Sequence, residues 1–106
     1  MEHRVEQDVL HVTIPRDVLS TGVRELFDQL HAVQKDPLVL QPSWRTLELD
    51  LTGAKMIDSM GLNFIVHLLK WSKGRNAKAR ILIHDKNLDR LLRFMRMNEH
   101  AEVVCA

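Results

Sequence analysis

Cysteine is nearly missing from this sequence. Its 106 residues hold one, Cys105, which excludes a disulfide framework. Long apolar runs are missing as well, and none approaches the roughly 20 residues that a membrane span needs. The opening Met1-Glu2-His3-Arg4 is charged and leads into no apolar segment. No signal peptide is therefore expected, and the cytoplasm is the expected compartment. Signatures of catalysis are also lacking. There is no Gly-x-Ser-x-Gly elbow. The histidines His3, His11, His31, His67, His84 and His100 are dispersed, without His-Glu-x-x-His or any Cys–His spacing. No Gly-rich loop of Walker type is present. A hydrolase with Ser59 as nucleophile and His84 or His67 as base would lack its elbow, since Ser59 stands between Asp58 and Met60. No enzyme, metal or cofactor is expected.

What is present is a globular composition. The apolar fraction is 45%, and a chain of this length forms one domain, residues 1–106, with one modest core. Net charge is +1, unevenly spread. Glu2, Glu6, Asp8, Asp17, Glu25, Asp28 and Asp36 make the first part acidic. Lys70 to Arg96 is basic, opposed only by Asp85 and Asp89. Aromatic residues that stack on bases are scarce there, so the basic stretch reads as solvated faces, with no direct nucleic-acid partner.

Period-2 alternation predicts a strand at Val9–Ile14, with a short one before it at His3–Glu6 and a turn at Gln7-Asp8. Val23, Leu26, Phe27, Leu30 and Val33 predict a helix, with Ser20 or Thr21 as its cap. Leu38 to Trp44 contains Pro42 and reads as a loop that lays Leu40 and Trp44 on the edge of the fold.

Leu47-Glu-Leu-Asp-Leu51 is the clearest strand, followed by a turn at Thr52-Gly53-Ala54-Lys55. Asp58-Ser59 then sits where a helix N-cap belongs. The helix from about Met60 to Ser72 carries two apolar stripes, Leu62/Ile65/Val66/Leu69 and Phe64/Leu68/Trp71. Two stripes imply two packed neighbours, or one core and one partner surface. Asn63, His67 and Lys70 are the polar remainder, and Gly74 is the expected C-cap. Lys78–His84 reads as a central strand buried on both faces. Asn87 is expected to cap a third helix bearing Leu88, Leu91, Leu92 and Met95, braced by Asp89 and Arg93. Met97-Asn98 follows, where asparagine tolerates the left-handed conformation, and Glu102–Val104 is the last expected strand.

Asp50-Leu-Thr and Ile57-Asp58-Ser59-Met60-Gly61-Leu62 together resemble the Asp-Leu-Ser and Asp-Ser-Ser-Gly-Leu signature of the STAS domain. That family includes bacterial anti-sigma factor antagonists and cytoplasmic domains of sulphate transporters. The element order agrees over nearly the whole chain. The resemblance implies an α/β fold, with a mixed sheet of four to five strands packed with three to four helices. It implies an anti-sigma factor antagonist that binds a switch kinase and is controlled by phosphorylation of Ser59. The partner face would comprise Asp50, Asp58, Ser59, Met60, Gly61, Asn63, Phe64 and His67. Met60 departs from the small residue common in the family and puts an apolar knob on that face.

Ser59 has a structural reading too, as the N-cap itself. Asp50 likewise reads as a brace for the Thr52-Gly53 turn or as a positioner of Ser59. The alternative function is a STAS subunit of a lipid-exporting ATP-binding cassette transporter, held through the same loop and the Phe64/Leu68/Trp71 stripe.

Overall fold

Leu47, Leu49 and Leu51 are wholly buried, while Glu48 and Asp50 between them are half-buried. This alternation makes β3, Thr46–Leu51, the middle of the sheet. The computed structural model describes all 106 residues. Before β3 come β1 (Glu2–Glu6), β2 (Val9–Thr13), α1 (Val23–Lys35) and α2 (Pro37–Leu40). After it come α3 (Ser59–Gly74), β4 (Lys78–Ile83), α4 (Lys86–Phe94), a 3-10 turn at Met97–Glu99, and β5 (Glu102–Cys105). The strands lie in chain order across the sheet. β1 runs antiparallel to β2, and the remaining pairs are parallel. This is the expected α/β fold, with five strands and four helices.

Every parallel pair is joined through a helix, and crossovers of one hand between adjacent strands return their helices to the same face. That face holds the core. Leu10, Val12, Leu49, Ile81 and Ile83 meet Leu26 and Leu30 of α1, Phe64, Ile65 and Leu68 of α3, and Leu88 and Leu92 of α4. The opposite face stays open. Arg4, His11, Glu48, Arg80 and Glu102 are successive partners across it. His11 Nδ1 lies 3.0 Å from Glu48 Oε1, and Arg80 donates to Glu48 Oε2 at 2.8 Å. β4 is therefore covered on one side only, and Leu82 is half-buried, contrary to the two-sided burial expected of it.

Several local expectations are corrected. Residues 37–40 form α2 instead of a loop. Asp36 caps it by accepting from the Leu38 N–H at 2.9 Å, and Pro37 opens it. Trp44 is buried, not laid on the edge, and its indole donates to the Val39 carbonyl at 2.8 Å. Leu40 is the exposed one, and Val39 faces the core. α1 starts from Gly22, which has no side chain to cap with, so neither Ser20 nor Thr21 is the cap. Asp85, not Asn87, caps α4. Arg75, not Gly74, is the C-cap of α3. Arg96, not Asn98, is left-handed, with φ of 61°; nothing in the structure explains arginine there.

Candidate functional site

The site is a pair of loops, Ile14–Gly22 after β2 and Thr52–Asp58 after β3. The second loop starts tightly. Asp50 Oδ1 accepts from the Thr52 N–H at 2.9 Å and from the Thr52 hydroxyl at 2.7 Å. The bracing reading of Asp50 is the one its contacts support. Gly53 then passes the other loop so closely that a Cβ would stand 2.6 Å from the Pro15 carbonyl oxygen.

The two loops are stitched by reciprocal aspartates. Asp17 Oδ1 accepts from the N–H groups of Lys55 and Met56 at 2.7 and 3.1 Å. Asp58 answers from the other side. Its Oδ2 accepts from the Ser20 N–H at 2.6 Å, and its Oδ1 from the Gly61 N–H at 2.8 Å. Between these stitches Val18 and Ile57 form a parallel bridge. The Val18 N–H donates to Met56 and the Asp58 N–H donates to Val18. The backbone N–H groups of Ser20 and Gly61 hold the Asp58 carboxyl below the ordinary aspartate value of 3.8.

Asp58 is thus the N-cap of α3, and Ser59 is its first helical residue. The reading of Ser59 as the cap is corrected. An aspartate in extended backbone satisfies the helix terminus, which leaves the next side chain free of that duty. Ser59 is exposed, and Met60 beside it is 49% exposed. A positive helix end, an exposed hydroxyl and a rigid loop support are combined here. Asn63 and His67 follow on the exposed side of α3. His67 stacks edge-on against Phe27 at 5.3 Å.

Two predicted contact residues are not on this surface. Phe64 is wholly buried, with its ring in a T-shaped contact with Phe27 at 5.0 Å. Gly61 is buried under Val18. Both support the surface from beneath. Leu68 is also buried, so the Phe64/Leu68/Trp71 stripe is core, with Trp71 half-exposed at its end. A permanent transporter contact through that stripe is therefore excluded in this conformation. Asp17 and Ser20, the partners that hold the site together, were missed from sequence. The available signal was an aspartate shortly after Pro15, a residue type that binds free backbone N–H groups in loops.

No family model matches the sequence, and no curated relative matches it. Solved structures do. An anti-sigma factor antagonist from Mycobacterium paratuberculosis matches with a TM-score of 0.76 at 14% identity, covering 97% of this chain and 82% of its own. The Thermotoga maritima protein TM1081 also matches at 0.76, with 17% identity over 97% of this chain and 84% of its own. The anti-sigma factor antagonist SpoIIAA, in its unphosphorylated form, matches at 0.67, with 9% identity over 99% of this chain and 87% of its own. At such identities the likeness is one of fold, and the fold is that of STAS-type anti-sigma factor antagonists.

Proposed function

We propose that this chain is an anti-sigma factor antagonist, a protein-binding domain that engages an anti-sigma factor with serine kinase activity and is released when Ser59 is phosphorylated. The observation that carries this reading is the position of Ser59. It is exposed, directly after the capping residue of a 16-residue helix. A phosphate there adds about −1.5 to −2 charges. The helix end tolerates that charge, which adds to the negative charge already carried by Asp58 beside it. The fold survives, and the face loses its fit to the unmodified partner's surface.

The contact face would consist of Asp50, Asp58, Ser59, Met60, Asn63 and His67, backed by Gly61 and Phe64. Met60 supplies the apolar contact and the polar groups supply orientation. Wild type, Ser59→Ala and Ser59→Asp should be used as bait in a native lysate, with bound proteins identified by mass spectrometry. A kinase of the ATPase class retained by wild type and Ser59→Ala, and lost by Ser59→Asp, is the expected result. Equal retention of every partner by all three sinks the switch. Retention of a permease or transport ATPase by all three moves the chain to the transporter class.

A further inference from the structure

A second feature begins one helical turn beyond Ser59, at Leu62, and uses none of the loop's polar groups. Between α3 and the segment that follows α4 runs a groove of about 330 Å³. Its floor and walls are Leu62, Val66 and Leu69 from one side and Met95 and Met97 from the other. Leu69 and Met97 are buried, Leu62 and Val66 are half-buried, and Met95 is 46% exposed. The α3 residues repeat at helical spacing, so they form one row along the helix. From Leu62 to Lys73 this row spans about 16 Å at the α-helical rise. It ends in charge, with Lys70 and Lys73 as exposed lining residues at the C-terminal end. His100 completes that lining, and neither lysine has a carboxylate partner among the chain's ion pairs.

We infer that this groove binds a single-chain anionic amphiphile, a long-chain fatty carboxylate, with its chain over Leu62, Val66 and the methionines and its headgroup at Lys70 and Lys73. Three features select this occupant. The volume falls at the small-ligand end of binding sites, roughly 300–1,000 Å³. The lining is apolar along its length and cationic at one end only, which matches a ligand with one charged terminus. Methionine thioethers fit a flexible chain without a fixed shape.

The test is isothermal titration calorimetry of the full chain with dodecanoate, kept below its micelle concentration, alongside methionine-methyl NMR. The sequence has five methionines. The expected result is saturable one-to-one binding that shifts the Met95 and Met97 methyls and leaves those of Met1, Met56 and Met60 in place. Lys70→Gln/Lys73→Gln should weaken binding about tenfold, equivalent to about 1.4 kcal/mol, with the melting temperature of the free protein unchanged. Dodecanol, which lacks the charge, should bind as weakly to wild type as dodecanoate does to the double variant. Absence of saturable binding overturns the proposal. So does equal affinity in the double variant, equal affinity for dodecanol, or methyl shifts outside the groove. An acidic amphipathic peptide that binds the groove where dodecanoate does not would also overturn it.

Discussion

Gly61 lies against the backbone of Val18. A Cβ at Gly61 would stand 1.9 Å from the Val18 carbonyl oxygen and 2.7 Å from its carbonyl carbon. The obstacle is backbone, and that backbone is held by its bridge to Ile57. A side chain at position 61 must push α3 away from the Ile14–Gly22 loop. Gly61→Ala is expected to destabilise the fold by at least about 1–3 kcal/mol, the usual cost of overpacking. Urea unfolding measures it. A Gly61→Ala midpoint equal to wild type would show that the two loops are not rigidly docked.

Asp58 makes this docking depend on acid. Its folded carboxyl titrates below 3.8 because the charged form accepts from Ser20 and Gly61. A group depressed on folding stabilises the protein above its unfolded value, and that contribution is lost as pH falls through the folded value. Asp36 is depressed in the same direction, chiefly by its hydrogen bond with His3. Asp58→Asn should lower the urea midpoint at neutral pH. The gap between variant and wild type should start to shrink below about pH 4, where the carboxyl of the unfolded chain takes up its proton, and close as pH falls through the lower folded value. A gap of constant size down to the acid transition would mean that the Asp58 charge contributes nothing to docking.

Phe64 and Met60 separate support from contact. Phe64 is wholly buried against Phe27, and Met60 projects to solvent beside Ser59. Phe64→Ala should cost about 3–5 kcal/mol through loss of apolar burial and the cavity left behind. Met60→Ala should change stability by no more than about 0.5 kcal/mol. If Met60 belongs to the proposed partner face, its truncation weakens capture of the partner while thermal melting stays put. Unaltered capture by Met60→Ala would remove Met60 from that face.

These residues also show what could be read in the sequence. The Leu47/Leu49/Leu51 alternation and the 3.6 spacing of α1 and α3 are local properties, and they placed the sheet and its main helices. Caps were harder. Asp58 and Ser59 are both good N-cap types, and the choice between them is made by the Ser20 N–H, 38 positions away. At α4 the expectation fell on Asn87, while Asp85, two positions earlier, is the residue whose carboxylate reaches the Leu88 N–H. Phe64 stood on a second apolar stripe, and periodicity cannot tell a second core contact from a partner face. Phe64 is buried in the common core and meets Phe27 of α1, a neighbour that the α3 sequence cannot show. For α2, Asp36-Pro37 is a legible start signal, but the helix is a single turn, and Pro42 just beyond it is equally a loop signal.

Arg75 is the residue that ties this last region down. Its guanidinium lies 3.7 Å from the centre of the Trp44 ring. Nη1 donates to the Val39 carbonyl and Nη2 to the Gln41 carbonyl, both at 2.8 Å. One planar fork thus joins the end of α3 to α2 and stacks on the buried tryptophan. Desolvation lowers its pKa from the usual arginine value, but a guanidinium stays charged across the working range. Lysine keeps the charge and loses the fork and the flat stacking surface. Arg75→Lys should therefore cost about 1–3 kcal/mol, close to the loss expected for a pair of charged hydrogen bonds and a cation–π contact. The chain has only Trp44 and Trp71, with ring centres 5.5 Å apart, so tryptophan emission reports on this corner directly. A red shift in Arg75→Lys before the main unfolding transition is expected, as the Trp44 pocket opens ahead of the sheet. Coincident emission and circular-dichroism transitions with an unchanged midpoint would show that the packing of Trp44 alone holds α2 in place.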